Sequence, residues 1–351
     1  MLLNSNFKNT FIVLFLTFFA VACSHTEQKT ESQSSTSQTA VPTLTPQFDA
    51  RLTGFEYPHP VKTFKILRQG QTLEMAYMDI TPQTDKPLKG TFVLFHGKNF
   101  SGFYYKDIIR HLLENNYRVI VPDQVGFGKS SKPETFYYSF MALSEMTYQL
   151  LQSLNAQEFN LLGHSMGGML ATRYALMYPQ QVKKLYLVNP IGLEDYKTLT
   201  SFKSYDEVLI QELGNSPKRV REYQQTAYYA GEWKPEYEAL IQPAIGWIQG
   251  PDRALIAKNS ALTALMIFNE PVVYEFKYLT MPVELIIGER DRTAIGKAWA
   301  PAANKEKMGL YPQLGPKTQR AMPKAQLRRL KNLGHVPFIE NFAEFKKNFI
   351  L

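Results

Sequence analysis

The chain has 351 residues, 44% of them hydrophobic, enough to bury a sizeable core in one large domain or two ordinary ones. A single cysteine excludes an intramolecular disulfide and a thiolate-based zinc cluster. The net charge is +8 and sits late, with ten Lys/Arg against three Asp/Glu in residues 301–351; no nucleic-acid motif accompanies it, so a solvated basic face is expected and no nucleic-acid partner.

Lys8 is the only charge before Glu27, and residues 10–22 are almost wholly apolar. That run is short for a membrane span and right for the apolar core of a signal peptide. It ends in Ala20-Val21-Ala22-Cys23. The segment resembles a bacterial lipoprotein signal, with Cys23 as the lipidated first mature residue. Ser24 resembles the residue that directs sorting to an outer membrane. Residues 1–22 are therefore expected to be a signal peptide. Residues 23–48, rich in Ser, Thr, Gln, Glu and Pro, cannot offset their ordering entropy by burial and are expected to be a flexible tether. The expectation is an exported protein, lipid-anchored to the cell envelope at the outer membrane and facing the periplasm. Its membrane contact would run through the N-terminal lipid.

Residues 62–68 and 73–80 alternate as two strands joined through Gln69-Gly70. Residues 91–95 form a short apolar run, a buried strand, ending in His96-Gly97-Lys98-Asn99-Phe100. Residues 104–115 read as a helix with Ile108, Ile109, Leu112 and Leu113 on one side. The next strand, 117–121, is closed by Pro122-Asp123 and the loop Gly126-Phe127-Gly128-Lys129-Ser130. Phe140, Leu143, Met146, Leu150, Leu151 and Leu154 recur at helical spacing. An apolar run at 159–162 then enters Gly163-His164-Ser165-Met166-Gly167, which fits G-x-S-x-G, a sharp strand-to-helix turn that lifts its serine above a sheet. A helix over 166–177 carries small residues for close packing, and a strand follows at 184–188.

Alternating strands and helices argue for a parallel sheet covered on both faces. The alternation stops near Gly192. From 193 to 280 helices are expected at 217–229, 235–242 and 252–268, without buried strands. Strands return at 283–287 and 326–330, and a final helix over 338–351 aligns Phe338, Phe342, Phe345 and Phe349. The organisation read from this is one α/β domain over 49–351, with core 49–192 and 281–351 and an inserted helical cap at 193–280.

A serine hydroxyl is a poor nucleophile until a base takes its proton, and the base needs a third group to orient it. Gly288-Glu289-Arg290-Asp291 and Gly334-His335 follow the last two strands. With His96-Gly97, the Asp123 to Ser130 loop and the Ser165 turn, these motifs come in the order of the α/β-hydrolase-fold serine hydrolases, which the chain resembles over about residues 55–351. The resemblance implies a mostly parallel eight-stranded sheet with helices on both faces and a cap. It implies Ser165 as nucleophile, His335 as general base and then acid, and Asp291 as orienting carboxylate. It implies the backbone amides of Met166 and Lys98 as the oxyanion hole.

Asp123, Glu289 and the pair Glu194/Asp195 remain as alternative acids, the last because some relatives carry the acid after the preceding strand. His96, His164 and His335 lack the spacing and carboxylate company of a metal site, so neither metal nor cofactor is expected. Lys98 and Asn99 stand near the pocket mouth, where they either meet a substrate carboxylate or face solvent. Tyr228, Tyr229, Trp233 and Trp247 are the candidate lining residues of the cap. The expected activity is hydrolysis of a small or medium ester through an acyl-enzyme on Ser165. The same groups would also serve amide, peptide, lactone or carbon–carbon bond hydrolysis, or acyl transfer. A non-catalytic ligand-binding envelope lipoprotein is the reading of a different class.

Overall fold

The computed structural model describes residues 46–351. The expected signal segment, Cys23 and most of the tether lie outside the described residues. Among the described residues no helix is long and apolar enough to cross a membrane.

Eight strands form one sheet: β1 (Lys62–Arg68), β2 (Gln71–Ile80), β3 (Gly90–Phe95), β4 (Tyr117–Pro122), β5 (Phe159–His164), β6 (Val182–Val188), β7 (Val283–Gly288) and β8 (Ala325–Leu330). Their order is β1-β2-β4-β3-β5-β6-β7-β8. The β1–β2 and β2–β4 pairs are antiparallel, and the pairs from β4 to β8 are parallel.

The central strands read as unbroken apolar runs because both their faces are buried. Side chains still alternate by face. Val93, Phe95, Ile120, Leu161, Leu185 and Leu187 enter one core, while Phe92, Leu94, Val119, Val121, Leu162 and Tyr186 enter the other.

The helices are α1 (Lys106–Glu114), α2 (Phe140–Ser153), α3 (Met166–Met177), α4 (Tyr205–Leu213), α5 (Pro217–Ala227), α6 (Glu238–Gln249), α7 (Arg253–Asn269), α8 (Ala302–Lys305), α9 (Tyr311–Ala321), α10 (Pro337–Glu340) and α11 (Phe342–Asn348). Four of them, α4 to α7, lie between β6 and β7. Three of the eleven, α4, α8 and α9, were not foreseen. α4 begins with a full capping box, Ser204 with Glu207. α9 carries Pro312 in its first turn and Pro316 inside, which mask its helical period. The final helix is not continuous. Asn341 is extended at φ −156° and its side chain caps the Glu344 amide at 3.1 Å, which starts a second helix. Phe338, Phe345 and Phe349 are nevertheless buried together, with Phe342 packed partly against them.

Residues 48–51 pack on the folded domain. The Phe48 amide donates to the Gly246 carbonyl at 3.0 Å. A Cβ on Gly246 would lie 2.1 Å from the Phe48 ring, so only glycine leaves room for it. The Ala50 amide reaches Asp252 at 2.7 Å, and Arg51 bonds Ser131 and Glu74 on the other side. This segment therefore straps the α6–α7 corner to the loop after β4.

Candidate active site

The site stands at the C-terminal ends of the parallel strands, where an open α/β sheet presents its loops. Ser165 stands between β5 and α3 with φ 56° and ψ −122°, a positive-φ strain that the tight turn imposes. The turn closes because a Cβ on Gly163 would strike the Gly167 carbonyl at 2.2 Å, and one on Gly167 would strike the Phe95 carbonyl at 2.1 Å. Both glycines are thus required by backbone approach.

Three side chains predicted from sequence meet here. His335 Nε2 lies 3.0 Å from Ser165 Oγ. His335 Nδ1 lies 2.6 Å from Asp291 Oδ2. His335 and Asp291 are fully buried and Ser165 is 6% exposed. Asp291 Oδ1 accepts from the Thr293 amide at 2.7 Å, so both oxygens of the carboxylate are occupied.

The rival acids are engaged elsewhere. Asp123 accepts from the Gly102 and Lys129 amides and the Tyr57 hydroxyl, at 2.7 to 2.8 Å, and so shapes the loop after β4. Glu289 pairs with Arg329. Glu194 accepts from the Gly309 amide at 2.9 Å, and Asp195 from the Tyr274 hydroxyl.

The loop after β3 presses on the serine. A Cβ at Gly97 would lie 3.0 Å from Ser165 Cβ and 3.5 Å from Ser165 Oγ. The next residue is Lys98, whose amide has no acceptor among the described residues. Met166 is the first residue of α3, and a first-turn amide has no partner within its own helix. Among the described residues, neither of the two amides expected as oxyanion donors has a backbone acceptor.

Buried imidazoles order the loops. The Gly97 amide donates to the Tyr104 hydroxyl at 3.0 Å, and that hydroxyl lies 2.9 Å from His164 Nδ1. His164 Nε2 lies 2.7 Å from the His335 carbonyl, which can only accept. Burial first, and the neighbouring His335 next, hold His164 well below the usual histidine range. It is a neutral ring that donates through Nε2 and accepts through Nδ1. His96 is likewise pushed down by burial; its Nε2 accepts from the Gln124 amide at 3.0 Å.

Two further residues were missed by sequence reasoning. Asn189, after β6, donates through Nδ2 to Asp291 Oδ2 at 2.9 Å. Its only sequence signal is an Asn-Pro dipeptide at a strand end. Glu340, in α10, accepts from the Gly334 amide at 2.9 Å and from the Val336 amide at 3.3 Å, the two neighbours of His335. Nothing in its spacing marks it.

The cap candidates divide. Tyr228 caps α5, its ring lies over His335 with centroids 4.4 Å apart, and its carbonyl accepts from the His335 amide at 2.9 Å. Asn99 Nδ2 donates to the Tyr228 hydroxyl at 2.7 Å. Tyr229, Trp233 and Trp247 are taken up by packing instead. Tyr229 stacks on Tyr237 at 3.9 Å. Trp233 Nε1 donates to Glu238 at 2.8 Å. Trp247 Nε1 donates to the Asp49 carbonyl at 3.0 Å, and its ring faces Lys132. Tyr229 and Tyr237, with Trp233 packed against them, join the apolar cluster that also holds Leu162 and Val336, while Trp247 serves the strap at Asp49. The Lys98 ammonium turns to the cap, 2.7 Å from Ser260 Oγ and 3.4 Å from Glu212 Oε1, with its side chain 20% exposed.

A family model described as alpha/beta hydrolase fold matches residues 90–342. Among solved structures, a probable hydrolytic enzyme from Pseudomonas aeruginosa PAO1 is 46% identical with a TM-score of 0.85, covering 88% of this chain and 99% of that one. Lipase 1 of Psychrobacter immobilis is 24% identical over 79% of each chain. Lipase 3 of Moraxella sp. (strain TA144) is 26% identical over 76% of this chain and 77% of its own.

Proposed function

Because the chain belongs to the α/β-hydrolase-fold family, we propose that it is a serine hydrolase cleaving small or medium esters through an acyl-enzyme on Ser165. The observation that carries this reading is the unbroken hydrogen-bonded line Ser165–His335–Asp291, at 3.0 and 2.6 Å. His335 Nε2 takes the serine proton as Oγ attacks the ester carbonyl, then returns it to the leaving alcohol. Asp291 holds the proton on Nδ1 and stabilises the imidazolium. The Met166 and Lys98 amides receive the oxyanion. Water activated by His335 then releases the acid and restores Ser165. Tyr228, lying on the imidazole, restricts its rotation. The two lipases among the relatives support an ester as the bond cleaved.

A panel of chromogenic esters of graded acyl length, with an amide and a lactone of matched size, tests the reading. Ester turnover that vanishes in Ser165→Ala is the expected result. Preference for the amide or the lactone would overturn the choice of bond.

We also propose export and lipidation at Cys23. The support is the apolar run at 10–22 and a lone cysteine at the position such a signal requires. More than one acyl chain is needed for stable anchoring, at about 0.8 kcal/mol per buried methylene. Metabolic labelling with an alkyne fatty acid should mark the wild type and not Cys23→Ser. A mature wild type that retains Cys23 without label would refute it.

A further inference from the structure

The loop after β3 is held at its start by backbone contacts, the Gly97 amide donating to the Tyr104 hydroxyl at 3.0 Å and the Gly97 carbonyl accepting from the Phe100 amide at 3.2 Å. Gly97 packs directly on Ser165 and offers no side chain. The next two residues both send their side chains to the cap. The Lys98 ammonium lies between Ser260 of α7 at 2.7 Å and Glu212 of α4 at 3.4 Å. Glu212 is itself held, through its other oxygen, by Asn215 Nδ2 at 2.9 Å. The Lys98 and Glu212 side chains are each only 20% exposed, so their pair is less screened than one at the surface. Asn99 reaches Tyr228, whose ring and carbonyl both engage His335.

We propose that Lys98 is a positioning residue: its ammonium, held between Ser260 and Glu212, fixes the loop whose amide receives the oxyanion. Cap closure and oxyanion geometry are thereby set together. This rests on the acyl-enzyme reading above and deepens it, because the oxyanion hole itself uses only the Lys98 backbone. A freely rotating Lys98 side chain would leave the loop tied only by the backbone contacts of Gly97, and a misplacement of about 1 Å in such a site can cost on the order of 10²-fold. Two acceptors from two cap helices remove that freedom. Opening the cap breaks both contacts and slackens the loop.

The test is steady-state ester hydrolysis by Lys98→Met, with active sites counted by titration with a fluorophosphonate. Met keeps the amide and most of the length of the side chain and removes the cation. The expected result is a kcat per titrated site lower by on the order of 10- to 100-fold, with KM changed by less than about threefold. The Ser260→Ala/Glu212→Gln double variant, which leaves the loop sequence intact, should show the same loss. Adding Lys98→Met to it should cost little more, since the three residues act as one unit. Lys98→Arg should recover most of the rate. A merely structural tie would lower Tm and leave kcat per titrated site unchanged. If Lys98→Met does not fold, the cap-side double variant reads the same quantity. A kcat per site within about twofold of wild type, in either variant, overturns the proposal while leaving the hydrolase reading intact. A wild type that takes no fluorophosphonate overturns both.

Discussion

Asn189 Nδ2 and His335 Nδ1 converge on one oxygen, Oδ2 of Asp291, at 2.9 and 2.6 Å. The Asn189 amide also accepts from the Gly288 amide at 2.8 Å and donates to the Gly288 carbonyl at 3.1 Å. One side chain from the end of β6 thus fixes both the carboxylate and the strand end from which it projects. Asn189→Ala should lower kcat/KM by about tenfold with the fold retained, because a hydrogen bond to a charged group contributes about 1.5–3 kcal/mol. Asn189→Asp should be worse, since two carboxylates would share the site. Equal kinetics for wild type and Asn189→Ala, measured on one ester at one pH, would show that the amide does not position the acid.

Gly97→Ala isolates the approach of the β3 loop to the nucleophile. The added Cβ meets Ser165 Cβ at 3.0 Å and His164 Nδ1 at 3.3 Å. Either the loop or the serine must move. Turnover should fall by on the order of 10²-fold while the far-ultraviolet circular dichroism stays the same. Undiminished turnover would mean that the loop has more slack than its packing indicates.

Glu340 gives the fold a pH dependence of defined sign. Burial raises its carboxyl from 4.5 to about 7, against the Gly334 and Val336 amides that favour the charged form. A carboxyl whose folded pKa is raised stabilises the fold below its unfolded pKa, and that contribution is lost as pH rises through about 7. The Tm of the wild type relative to Glu340→Gln should therefore be higher at pH 5 than at pH 8. A difference that grows toward pH 8 would contradict it.

The strap at residues 48–52 should matter to the cap. Gly246→Ala puts a Cβ 2.1 Å from the Phe48 ring and must displace it. Overpacking of this kind costs about 1–3 kcal/mol. The expected outcome is a lower Tm with increased protease sensitivity at α6. An unchanged Tm would show that the strap carries no stability.

The sheet and the three loops of the site were legible because they are written locally. Apolar runs at 91–95, 159–162 and 283–287 can only be buried strands when helical stretches separate them. The Ser165 turn needs its glycines within two residues of the serine. The supporting groups are another matter. Asn189 and Asp291 are 102 positions apart, and only the pairing of β6 with β7 brings them together. Glu340 caps the His335 loop because α10 folds back on it, and no periodicity reports that. In the cap, aromatic content cannot distinguish lining from core. Tyr228 and Tyr229 are neighbours in sequence, yet one lies over the imidazole and the other stacks on Tyr237. Likewise, Lys98 is a cation at a pocket mouth in sequence, and only α4 and α7 reveal its acceptors.

Intact-protein mass spectrometry after reaction with a fluorophosphonate, followed by peptide mapping, reads the activation of Ser165 itself. A single adduct per chain is expected, on the peptide containing Ser165, forming rapidly in wild type and on the order of 10²-fold or more slowly in His335→Ala. Ser165→Ala should carry none. No adduct on wild type, or an adduct that persists in Ser165→Ala, would contradict the claim that Ser165 is an activated nucleophile.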